Sequence, residues 1–112
     1  MKYALLIYDL PDPYDKLSDD ERDSVFGEYF AISKEPSVVG GEELQPVETA
    51  TTVRVKDGET LTTDGPFADT KEIFGGFFMV EADDIDAALE LAARIPAARL
   101  GGSVEVRPVV ER

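Results

Sequence analysis

Three features of the sequence predict an α+β fold in which two helices cover one face of an antiparallel sheet. Three apolar runs carry the period of strands, two amphipathic segments with helix caps fall between them, and a threonine- and valine-rich hairpin interrupts the second half. The 112 residues, 43% of them hydrophobic, suffice for one core, so a single domain spanning 1–112 is expected.

Lys2 to Asp9 is a run of aromatic, β-branched and aliphatic residues closed by Pro11 and Pro13, and it reads as the first strand. Its alternation puts Tyr3, Leu5 and Ile7 on one face and Ala4, Leu6 and Tyr8 on the other. Ser18 with Glu21 forms a capping box, and Asp19 and Asp20 suit the positive end of the helix dipole. A helix over 18–35 follows, with Val25, Phe26, Tyr29 and Phe30 as its apolar stripe and Pro36, Gly40 and Gly41 ending it. Val38 to Gln45 reads as a short strand before Pro46. Thr49 to Lys56 and Glu59 to Thr63 form a hairpin across Asp57-Gly58, a pair that favours the positive φ angles of a two-residue turn. The strand Phe74 to Ala82 contains Gly75-Gly76, which marks a bulge or a close backbone approach. Asp83 or Asp84 caps a second helix over 84–95, striped by Ile85, Ala88, Leu89, Ala92 and Ile95 and ended by Pro96. In the last strand, Ser103 to Val110, Val104 and Val106 alternate with Glu105 and Arg107.

This order of elements is that of a ferredoxin-like split βαβ fold, with both helices on one face of the sheet. The first strand and the strand after the hairpin are apolar on both faces, and two helices can cover only one. A large apolar side chain is worth roughly 1.5–3 kcal/mol on burial, so the second face needs a cover. A second copy related by a two-fold axis is the expected cover, giving a face-to-face homodimer with a closed or nearly closed barrel.

Charge and composition narrow the function. The 24 acidic and 11 basic side chains give a net charge of -13, which opposes nucleic acid and anionic lipid and leaves a basic protein surface as the compatible macromolecular partner. The sequence has neither cysteine nor histidine, so disulfides, thiol nucleophiles and imidazole bases are excluded. Any catalysis must use Asp, Glu, Lys, Arg, Tyr or a hydroxyl, and no cofactor is expected. Asp12, Asp15, Asp19, Asp20 and Asp23 lack the spacing of a calcium loop and read as caps and solvated charge, so no metal is expected either. The first apolar run is too short for a signal peptide core, which makes a cytoplasmic location the expectation.

The candidate site is the stretch Asp64-Gly65-Pro66-Phe67-Ala68-Asp69-Thr70-Lys71-Glu72, which leads into Ile73-Phe74-Gly75-Gly76-Phe77-Phe78. Gly65-Pro66 dictates a turn, and Pro66 lacks the N–H that an aspartate opening a turn would usually hold. Asp64 is therefore the candidate catalytic carboxylate. Arg54, Lys71, Arg99 and Arg107 are the candidate groups for an anionic ligand, with Phe67 as an aromatic wall and Asp69 and Glu72 adding charge. The alternation of the last strand sends Arg107 to the face opposite the helices, towards the dimer cavity. In the alternative reading Asp64 only stabilises the turn, Lys71 and Glu72 are solvated, and Arg107 pairs with Glu105 or with a carboxylate across the dimer.

Four blocks carry a family resemblance: Met1 to Tyr8, Ala50 to Val55, Thr63 to Glu72, and Ile95 to Arg99 continuing through Val104 to Pro108. In that order they resemble the YCII-related, DGPF-motif family over nearly the whole chain. The resemblance implies a dimeric α/β barrel of ferredoxin-like subunits. It implies an active site built on an aspartate and a histidine, of which this sequence retains only the aspartate, Asp64. Similar barrels run isomerase, lyase or monooxygenase-like chemistry on small molecules. Genes of DGPF-type proteins also tend to neighbour those of alternative sigma factors. Two functions follow as expectations: a dimeric small-molecule-binding protein or cofactor-independent enzyme with its pocket at the DGPF loop, taking a small anionic or aromatic ligand, or a regulatory module meeting a basic partner.

Overall fold

A computed structural model describes residues 1–67 and 70–112; Ala68 and Asp69, the latter a member of the charged candidate cluster, lie outside the described residues. Eight principal elements follow in the order β1 (Lys2–Asp9), α1 (Asp19–Ser33), β2 (Val38–Glu43), β3 (Thr51–Lys56), β4 (Glu59–Asp64), β5 (Ile73–Glu81), α2 (Ile85–Ala93) and β6 (Ser103–Pro108). The main sheet is antiparallel with strand order β2-β5-β1-β6, the ferredoxin-like arrangement, and the β3-β4 hairpin is inserted between its second and third strands.

Local chemistry accounts for the helix starts. The Ser18 hydroxyl accepts from the Glu21 N–H at 3.1 Å while the Glu21 carboxylate accepts from the Ser18 N–H, completing the capping box. Asp84 caps α2 by accepting from the Ala87 N–H at 3.0 Å.

Both helices lie on the face of the sheet that carries Tyr3, Leu5 and Ile7. These three are buried in one cluster with Val80, with Ile32 of α1, and with Ala88, Leu91 and Ala92 of α2. The helical stripes differ from the expected ones by one position around each helix. In α1, Val25 and Ile32 are buried and Tyr29 packs against the core, whereas Phe26 and Phe30 are 46% and 64% exposed. In α2, Ala88, Leu91 and Ala92 face the sheet, followed by the buried Ile95, while Ile85 and Leu89 stay exposed. The spacing i, i+3, i+4, i+7 is satisfied by 88, 91, 92 and 95, and Leu91 is the residue that closes that stripe. Two ion pairs, Arg94 with Glu35 and Arg99 with Glu28, tie the end of the α2 region to α1.

The hairpin stands away from the main sheet. Asp57 and Gly58 have φ of 52° and 79°, as a two-residue primed turn requires, and among the described residues β3 and β4 pair only with each other. Val53, Val55 and Leu61 are exposed. The arm stretches the described chain to 45 × 43 × 20 Å with a radius of gyration of 15.9 Å, against about 13 Å for a compact domain of this length.

Candidate functional site

The site starts from a flaw in the β1-β5 ladder. Ile7 pairs with Gly76, but the next pair is Tyr8 with Phe74, so Gly75 has no partner on β1 and forms the bulge that the Gly-Gly pair forecast. A Cβ on Gly75 would lie 2.9 Å from Oδ2 of Asp9, so the missing side chain makes room for that carboxylate. A Cβ on Gly76 would lie 2.7 Å from the Glu42 carbonyl oxygen, so this glycine lets β2 close onto β5. Together they seat Asp9 at the end of β1, facing α1.

Beside it opens a cavity of about 690 Å³. The end of β1, the loop from Leu10 to Asp15, one side of α1, the segment Gly41 to Glu48, and Ile73 to Phe78 of β5 enclose it. Phe26 and Phe30, which the sequence assigned to the core stripe, are walls of this cavity together with Tyr14 and Tyr29. Tyr14 meets Phe26 edge-on with ring centroids 5.3 Å apart. Their exposure is the open side of a pocket.

Burial holds the Asp9 carboxyl above the usual carboxylate range, and the nearby Glu43 charge pushes the same way. Among the described residues no hydrogen-bond donor or cation meets the Asp9 carboxylate. Burial, followed by the charges of Asp9 and Glu43, raises the Tyr14 phenol. Tyr29 is raised for the same first reason, with Asp9 next, and stays a neutral phenol. Asp9, Asp12, Asp15, Glu42, Glu43 and Glu48 line the cavity, and no lysine or arginine is among its lining residues. Such an arrangement can hold an apolar ring, offer phenolic hydrogen bonds and exchange a proton at Asp9.

Of the candidate site residues, Asp64, Arg54, Phe67, Lys71, Glu72, Arg99 and Arg107 are not among the residues that line this cavity. Asp64 ends β4, opposite Thr51 at the root of the hairpin, and is exposed. Arg54 is exposed on β3, Phe67 is 78% exposed after the turn, and Lys71 is exposed before β5. Arg99 donates to Glu28 on the helix layer. Arg107 pairs in register with Ala4 on the sheet face away from the helices, while Val106 pairs with the buried Leu5. The DGPF turn is held by the Gly65 N–H donating to the Ala50 carbonyl at 2.7 Å and by the Thr52 hydroxyl donating to the Gly65 carbonyl at 2.8 Å. The cavity meets the far end of the same stretch, at Ile73 to Phe78.

Sequence reasoning missed Asp9, Tyr14, Tyr29 and Glu43. Two signals pointed to them: a Gly-Gly bulge must face something, and Val25, Tyr29 and Ile32 already complete a helical stripe, which leaves Phe26 and Phe30 without a place in the core.

The YCII-related domain model matches residues 1–112, the whole chain. The chain belongs to the YCII-related family. An uncharacterised protein of Rhizobium meliloti (strain 1021) is 34% identical to this YCII-related chain over 114 residues, covering 97% of it and 92% of the relative. A solved structure of similar fold is the 5-chloro-2-hydroxyhydroquinone dehydrochlorinase TftG from Burkholderia phenoliruptrix AC1100, in complex with 2,5-dihydroxybenzoquinone. It has a TM-score of 0.54 and 15% identity and covers 100% of this chain and 96% of that one. Among the described residues of the YCII-related chain, no group of three or more His, Cys, Asp or Glu could hold a metal ion, and no helix is long and apolar enough to cross a membrane.

Proposed function

We propose that this YCII-related protein is a homodimeric small-molecule-binding protein. In this reading the cavity beside Asp9 holds an aromatic ring compound, and Asp9 exchanges a proton with the ligand without a cofactor. The observation that carries the reading is the coincidence of a cavity of about 690 Å³ with a half-buried carboxyl whose proton affinity burial has raised. Ligand pockets commonly fall between roughly 300 and 1,000 Å³ and combine apolar walls with a few convergent polar groups. A carboxyl held towards neutrality is what a general acid or base needs when no imidazole is present. The structural neighbour TftG, in complex with 2,5-dihydroxybenzoquinone, supports a ring compound as the ligand class.

Dimerisation has separate support. Leu6 and Tyr8 of β1 and Phe77 and Met79 of β5 alternate with the core-facing residues, so an apolar sheet face lies opposite the helices. The exposed valines of the hairpin also call for a partner surface. A second copy of the chain would enclose Arg107 on that face.

Saturation-transfer NMR with hydroquinone tests the site. Binding should weaken in Asp9→Ala and Phe26→Ala and persist in Asp64→Asn. Loss of binding in Asp64→Asn with Asp9→Ala unaffected would move the pocket to the DGPF turn and overturn this reading.

A further inference from the structure

We infer that the cavity beside Asp9 selects an organic cation, an ammonium group carried on an aromatic or other apolar body. This deepens the proposed function and rests on its placement of the site. The aromatic walls come first in the argument. Tyr14, Phe26, Tyr29 and Phe30 converge on one cavity, and the face of such a ring attracts a cation placed within about 6 Å of its centroid. Lys34, which does not line the cavity, already lays its ammonium 5.1 Å from the Phe30 centroid, so one of these rings serves a cation within the protein itself.

Electrostatics gives the second argument. The charged side chains of the lining are all acidic, and the Glu43 charge adds to burial in raising the Asp9 carboxyl. An anionic ligand would add a further negative charge and find no lysine or arginine in the lining. A bound ammonium would meet both acidic and aromatic side chains of this wall. The aromatic walls suit a positive charge carried on an organic body. The expectation of an anionic ligand therefore does not carry over to this cavity, whereas the aromatic one does.

Three benzyl probes that differ in charge test the inference by titration calorimetry on the full chain: benzyltrimethylammonium, benzyl alcohol and benzoate. The cation should bind roughly tenfold tighter than the alcohol, the gain expected of a ring cage assisted by a carboxylate. Benzoate should show no binding. The ratio of cation to alcohol affinity should fall several-fold in Glu43→Gln and in Phe30→Ala, while Glu90→Gln on the exposed side of α2 should leave it unchanged. A ratio that falls equally in Glu90→Gln would mean general attraction to an acidic protein and would overturn the inference. If alcohol and cation bind equally, or benzoate binds best, the charge preference is refuted and the pocket stands. If none of the three binds, both fall.

Discussion

Gly75 and Gly76 are neighbours in one strand, yet replacing each by alanine should have different consequences. The Cβ of Gly75→Ala meets the Asp9 carboxylate at 2.9 Å, about half an ångström inside ordinary contact, and the tip of a short side chain can swing into the cavity to relieve it. Removing a glycine at a compatible φ gains about 0.4–1 kcal/mol by restricting the unfolded chain. The melting temperature of Gly75→Ala should therefore stay within about 3 °C of the parent, at about 4 °C per kcal/mol for a chain of this size. The Asp9 carboxyl, pushed towards water, should titrate closer to its ordinary value of 3.8. In Gly76→Ala the Cβ meets the Glu42 carbonyl oxygen at 2.7 Å, and only movement of β2 away from β5 can make room. Overpacking of this kind costs about 1–3 kcal/mol, so that variant should melt about 4–12 °C lower. Thermal melts and carbon-detected NMR titration of the aspartate carboxyls read both effects. Equal destabilisation of the two variants, or an unchanged Asp9 titration in Gly75→Ala, would refute the view that the bulge exists to seat this carboxylate.

Asp9→Asn tests the same group through pH. A carboxyl whose folded pKa is raised destabilises the protein once pH exceeds that value, and the penalty vanishes as pH falls below the ordinary 3.8. Asp9→Asn should thus melt higher than the parent at neutral pH and converge with it in acid; a lower melt at neutral pH would contradict the burial argument. In urea denaturation, Leu91→Ala should lose about 2–5 kcal/mol and the half-exposed Leu89→Ala well under that; the reverse order would restore the stripe expected from the sequence. Light scattering should give a mass near twice 12.2 kDa, and Met79→Glu on the open sheet face should halve it. A monomeric parent would remove the dimer from the proposal.

The fold was legible because its signals are local. The capping box at Ser18, the Asp57-Gly58 turn and the two-sided alternation of Lys2 to Asp9 each depend on residues close in sequence, and each appears in the structure. Arg107 was likewise placed by alternation alone, opposite the helices. The site was less legible because it depends on register and helix rotation. Asp9 looks like the end of a strand until the bulge at Gly75, distant in sequence, is set beside it. Phe26 and Phe30 look like core until Ile32 is seen to take the position they were assigned. The DGPF turn drew attention because its charges cluster in sequence, whereas the cavity gathers its carboxylates from β1, the following loop and the β2 region.

The freestanding hairpin gives the DGPF turn a mechanical meaning. Both strands of the arm enter the body at one root, where the bond from Gly65 to Ala50 and the bond from Thr52 to Gly65 act as its bolts. Six residues of strand on each side make a lever of about 20 Å. A rotation of about 10° at that root sweeps the Asp57-Gly58 tip through roughly 3 Å, a leverage set by the strand rise. The turn that the sequence offers as a candidate site also stands at the root of the arm, where a small change of angle is magnified at the tip.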